Sequence, residues 1–129
     1  FLASCPLAVA FAVFERHSLH PAAQSVFGQA VTRVDHLGSF ACRNMYNRAE
    51  GRLSQHASAN ALDIAGFRLA DGRSISVLKD WSGDGDSARF LRQVRDDACD
   101  DFNVVLSPDY NAAHRNHFHL DMGRWWVCR

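Results

Sequence analysis

At 129 residues and 47% hydrophobic, the chain is long enough for one compact domain, residues 1–129, with a real core. Its 14 basic and 14 acidic residues cancel to a formal net charge of zero. They are scattered rather than blocked, so no basic field is offered to nucleic acid or to an anionic membrane.

Four cysteines, Cys5, Cys42, Cys99 and Cys128, are spread along the chain without a C-x-x-C pair. That spacing argues against a thiolate zinc ribbon and for two disulfides made in an oxidising compartment. Three pairings are possible. Cys5–Cys42 with Cys99–Cys128 is preferred, because each would staple a helical segment to a neighbouring extended one. Phe1 to Phe14 is apolar but broken by Cys5-Pro6, and it falls far short of the roughly 20 residues a membrane span needs. It also lacks the basic start and cleavage pattern of an export signal.

In chain order, Leu7 to Arg16 is predicted as a helix, with Leu7, Ala10, Phe11 and Phe14 at the spacing of one buried face. A second short helix, Ala22 to Phe27, is expected to start at Pro21 and close at Gly28, with His17 and His20 in the connection. Ala30 to Leu37 alternates like a strand: Val31, Arg33 and Asp35 on one side, Thr32, Val34 and His36 on the other. His36 there reads as an ordinary strand-face histidine. Phe40 to Arg43 and the polar, Gly51-containing stretch to Leu53 lead as a loop into Ser54-Gln55-His56.

Ala61 to Ala65 reads as a strand that sets Leu62 and Ile64 opposite Asp63. The Asp71-Gly72 turn makes Ile64–Leu69 and Ser74–Leu78 a hairpin. Trp81 to Asp86 is a loop whose acids lack the spacing and closing glutamate of a calcium-binding EF-hand. Ser87 to Phe102 carries an apolar stripe of Phe90, Leu91, Val94, Ala98 and Phe102, capped by Asp86 or Ser87. A short strand, Asn103 to Leu106, and a loop, Ser107 to Asn111, follow. His117 to Met122 alternates again, with Phe118, Leu120 and Met122 facing the core and His117, His119 and Asp121 sharing the other face. Trp125 to Cys128 is expected to be buried or stapled.

His56, Asp63 and His119 make a donor set suited to a hydrolytic zinc ion, which takes three protein ligands and keeps one position for water. The seven-residue step from His56 to Asp63 is too long for one helical turn and fits a loop ligand followed by a strand ligand. The helical H-E-x-x-H signature is absent. His117, two residues from His119 on the same face, is either a proton-handling group or a fourth ligand that would close the site. Arg43 is either a clamp for a peptide carboxylate or a surface arginine. Ser54 fixes its loop, His114 is a cleft candidate, and Asp121 either orients a ligand histidine or is a solvated strand end. An HNH-type nuclease is excluded because no basic patch accompanies Arg115-Asn116-His117.

Ser54-x-His56-x-x-Ala59-x-Ala61-x-Asp63 together with His117-x-His119 resembles the S-x-H-x-x-G-x-A-x-D … H-x-H pattern of the LAS metallopeptidases. That group includes D-alanyl-D-alanine carboxypeptidases, murein endopeptidases and the hedgehog signalling domain. More closely, Gly38 to Arg43, Gly66-Phe67, Phe90 to Arg92 with Cys99, Leu106 to Asn111 and His117 to Asp121 resemble the extensin-like protein C-terminal domain family. Ala59 stands where the pattern has glycine, a strain of about 1–2 kcal/mol if that backbone needs a positive φ.

The resemblance implies an α+β fold, a small, mainly antiparallel sheet with helices on one face, as in hedgehog and D,D-peptidase domains. It implies zinc on His56, Asp63 and His119, a catalytic His117 and a substrate-side Arg43. The expected activity is hydrolysis of peptide bonds in peptidoglycan stem peptides, in the periplasm or outside the cell. The alternative is a zinc-containing module that binds cell wall without turnover.

Overall fold

The structure is a computed structural model and describes residues 5–38 and 61–129. Helix α1 (Cys5–Phe14) buries Leu7, Ala10, Phe11 and Phe14, the face its spacing predicts. It does not end there. A π-helical segment, Glu15–Leu19, runs straight into α2 (His20–Phe27), so His17 and His20 lie on a continuous helix rather than in a connection. Pro21 supplies the reason. Proline offers no N–H, and its ring clashes with the carbonyl one α-turn back, so the helix widens by one residue per turn just before it. Gly28, at φ 65°, closes α2 in the left-handed conformation that glycine adopts freely.

Strand β1 (Val31–Gly38) pairs antiparallel with β2 (Ala61–Leu69). Register shifts break the pairing between Val31 and Arg33, between Asp35 and His36, and between His36 and Gly38. Simple alternation therefore fails: Val31 is buried and Val34 packs against the same core, although strict alternation would set them on opposite faces. The hairpin partner β3 (Ser74–Ser76) is shorter than predicted. At Val77 the chain turns into a helical turn, α3 (Val77–Asp80), because Ser76 caps it: Lys79 N–H donates to Ser76 Oγ, and Ser76 N–H donates to the Asp80 carboxylate. β3 approaches β2 so closely that a Cβ on Gly66 would collide with the carbonyl oxygen of Ile75.

Helix α4 (Asp86–Ala98) buries Ala88, Phe90, Leu91, Val94 and Ala98. Its N-cap is Gly85, without a side-chain cap, and the Asp86 carboxylate pairs instead with Arg89 one turn on. Phe102 is buried beyond the helix end. Strands β4 (Val104–Leu106), β5 (Phe118–Asp121) and β6 (Val127–Cys128) complete a sheet ordered β1-β2-β5-β4-β6, with β3 beside β5 on the same edge of β2. All pairings are antiparallel except β4 with β6.

The sheet explains the two faces of the molecule. Val105, Leu120 and Leu62 are cross-strand neighbours and form a fully or nearly fully buried row. That row packs in one core with the aromatic side chains of the helices: Phe14 meets Phe102 edge-on at 5.6 Å, and Phe90 meets Phe67 at 5.5 Å. Burial of each such ring stabilises by about 1.5–3 kcal/mol. The adjacent row, Leu106, His119 and Asp63, points to the opposite face. Helices on one side and polar, chemistry-bearing residues on the other is the expected α+β arrangement.

Cys99, just past α4, is disulfide-bonded to Cys128 on β6, as preferred from the sequence. The other expected pair lies outside the described residues at Cys42, while Cys5 is exposed at the start of α1. Trp125 and Trp126 are exposed, so the C-terminal segment is stapled but its tryptophans are not buried. Among the described residues, no helix is long and apolar enough to cross a membrane.

Candidate metal centre

Asp63 on β2 and His119 on β5 are direct cross-strand partners. Their neighbours in sequence, Leu62, Ile64, Phe118 and Leu120, are buried, so the two polar side chains are held on the other face by the pleat alone. Phe118 is further fixed by Trp81, whose ring lies edge-on at 5.6 Å. Trp81 Nε1–H donates to Asp109, and the Arg95 guanidinium covers its face at 5.1 Å.

His119 Nδ1 lies 3.1 Å from Asp63 Oδ1, and His119 Nε2 lies 2.8 Å from Asp121 Oδ2. Asp121 is itself buried, and its second oxygen accepts the backbone N–H of Gly123 at 2.7 Å. Asp121 is therefore a buried partner of His119 rather than a solvated strand end. Burial lowers the pKa of His119, but hydrogen bonds to Asp121 and Asp63, and their charges, outweigh it and push the imidazole up to about 9.

His117 Nε2 lies 3.8 Å from the same Asp63 oxygen, so both histidines of the H-x-H pair converge on one carboxylate. His117 Nδ1 is 2.7 Å from Asn116 Oδ1. His114 sits at the end of a 3-10 turn, Ala112–His114, with its ring centroid 4.9 Å from His117 and 6.2 Å from His119. Its Nδ1 is 2.7 Å from Asn111 Oδ1, and Tyr110 packs edge-on against it at 5.4 Å. Burial, and the nearby His117 and His119, hold the His114 pKa below the usual imidazole value.

The loop carrying these residues is organised by Ser107, which is fully buried. Its hydroxyl accepts from Arg95 and from Asp109 N–H, and its own N–H donates to Arg129 O at 2.8 Å. Among the expected site residues, then, Asp63, His114, His117, His119 and Asp121 are gathered at one place. His56, Ser54, Arg43 and Ala59 lie outside the described residues. Asn111 and Asn116 were not singled out from the sequence. The available signals were an asparagine one helical turn before His114 and another directly preceding His117.

A carboxylate and an imidazole are donor types that zinc takes. With bond lengths of about 2.0–2.1 Å and tetrahedral angles, two ligand atoms on one zinc stand about 3.3 Å apart, close to the observed Asp63–His119 separation. A ligating histidine usually gives its other N–H to a carboxylate or carbonyl, and the Asp121 carboxylate lies where such a partner of His119 would be. Among the described residues no group of three or more His, Cys, Asp or Glu side chains is placed to hold a metal ion; the two that meet, Asp63 and His119, are two of the three expected ligands.

No curated protein and no solved structure matches the chain significantly. The sequence model of the family described as "Extensin-like protein C-terminus" matches residues 1–129. By this match along its whole length, the chain belongs to the Extensin-like protein C-terminus family.

Proposed function

We propose that the protein is a zinc-dependent peptidase of the LAS type, acting on the stem peptides of bacterial peptidoglycan. The observation that carries this is the wiring of His119 between Asp63 and the buried Asp121. A purely structural histidine has no need of two carboxylates, one of them buried with it. A metal ligand does, because the outer carboxylate fixes which nitrogen faces the cation.

His56, Asp63 and His119 would hold the ion. Zinc in such a site lowers the pKa of bound water and polarises the carbonyl to be attacked. His117 presents Nε2 on the Asp63 side of the site, where it can take a proton and return it to the departing amine. Arg43 is assigned the substrate carboxylate, which its planar guanidinium suits. A disulfide and the lack of a long apolar helix among the described residues are compatible with work outside the cytoplasm.

The test is to incubate purified protein with muropeptides, with and without chelator, and follow masses. Loss of D-alanine or splitting of cross-links is expected, abolished by chelator and in His117→Ala that still holds zinc. Zinc-loaded protein that binds the peptides but never changes their mass would replace this reading with a non-catalytic wall-binding module.

A further inference from the structure

Two arginines one turn apart on α4 reach the segment that follows α3. Arg92 donates to the carbonyl oxygens of Trp81 and Gly83. Arg95 lays its guanidinium over the Trp81 ring at 5.1 Å and extends Nη1 past it, to Ser107 Oγ at 3.0 Å and Asp109 Oδ2 at 3.5 Å. Trp81 closes the figure by donating Nε1–H to Asp109 Oδ1 at 3.0 Å. The loop between β4 and β5 is thus tied to the helix layer at residues 107 and 109, and His114 and His117 follow on that loop. A helix-surface arginine paired with its neighbour Asp96 would account for only one of these contacts. The Arg95 side chain is 16% exposed, against 65% for Asp96. A guanidinium taken that far out of water is costly unless its N–H groups find acceptors. Besides Asp96, the acceptors it finds lie on the histidine-bearing loop.

We propose that Arg95 is a positioning residue. It sets where His114 and His117 stand relative to Asp63 and His119, by holding their loop to α4 through Ser107, Asp109 and Trp81. The contact uses what arginine offers and lysine lacks: a plane for the indole and a separate N–H edge for the loop oxygens. Asp63 and His119 are placed by strand pairing instead, so the two halves of the site can be disturbed separately. A misplacement of about 1 Å, caused far from the chemistry, can cost about 100-fold in rate.

The effect on turnover rests on the peptidase reading; the hold on the loop does not. The experiment compares full-length wild type, Arg95→Lys and Ser107→Ala, which keeps the arginine, by amide NMR, zinc calorimetry and muropeptide kinetics. Arg89→Ala is the control, since Arg89 lies on the same helix but pairs with Asp86 in solvent. In both test variants the amide signals of residues 107–117 are expected to shift while those of 61–65 and 118–121 stay. Zinc affinity is expected to be unchanged, and kcat to fall about 10- to 100-fold with KM little altered. The double variant is expected to lose little more than either single one, because both remove the same link. Arg89→Ala is expected to match wild type. Loop signals or kcat unmoved in Arg95→Lys, or zinc affinity and strand signals lost together with the loop, overturns the assignment. Loop shifts as expected in a protein whose wild type never cleaves would uphold the hold on the loop while contradicting the peptidase reading.

Discussion

His119 stands in mid-strand between buried neighbours, whereas His114 and His117 come from a short loop ordered around Ser107. The acceptors differ as well. Two carboxylates hold the strand histidine and two amides hold the loop histidines. The same side chain is thereby given two characters. Held by anions, His119 favours positive charge, and its pKa is pushed up to about 9. Of the loop rings, His114 is pushed below the usual imidazole value by its burial and by the neighbouring His117 and His119. In the proposed function the strand histidine is the ligand, and His117 of the loop is the group that handles the proton.

Breaking the strand half should have the largest effect. Asp63→Ala would remove a proposed ligand, so zinc affinity by calorimetry should fall by more than the roughly 100-fold ceiling for losing an outer partner, while Asp121→Asn should cost about 10- to 100-fold. Equal, small losses in both would mean the carboxylates are only strand-face decoration.

The strand half also depends on a closed sheet edge. β6 is joined to β4, the neighbour of β5, and is stapled by Cys99–Cys128 across 29 residues. Replacing both cysteines by serine should lower the unfolding free energy by about 3–4 kcal/mol, from chain entropy over a loop of that length. Denaturant melts would show it. Gly66→Ala, which sets a methyl against Ile75 O, should cost about 1–3 kcal/mol in the same assay.

The smallest effect is a pH slope. In chelator-treated protein the folded His119 pKa of about 9 lies above the ordinary 6.5. The extra stability is present in full below about pH 6.5 and is lost as pH rises through 9, at no more than about 1.4 kcal/mol per pH unit. Asp121→Asn should flatten that slope. His117→Ala should not.

Much of this was legible in the sequence where one face of a regular element is buried. Alternation in Ala61–Ala65 and Phe118–Met122 placed Asp63 and His119 on the polar face, because period two leaves no other assignment. α1 was legible for the same reason. Pro21 misled, since a proline that opens a helix and one that a π-turn accommodates look alike locally. β1 misled because its bulges add residues that alternation cannot foresee. The turn after β3 was missed because its cap, Ser76, is itself the last of three strand residues. Asp121 was undecidable because its burial depends on the β5–β6 connection returning over it to donate Gly123 N–H.

The most direct test is anomalous diffraction at the zinc edge from crystals of the zinc-loaded protein. One ion is expected, with Asp63 oxygen, His119 Nδ1 and a His56 nitrogen at about 2.0–2.2 Å and a fourth position open to solvent. Zinc bound through His119 Nε2, zinc bound away from Asp63, or a sphere filled by protein atoms alone would contradict the account.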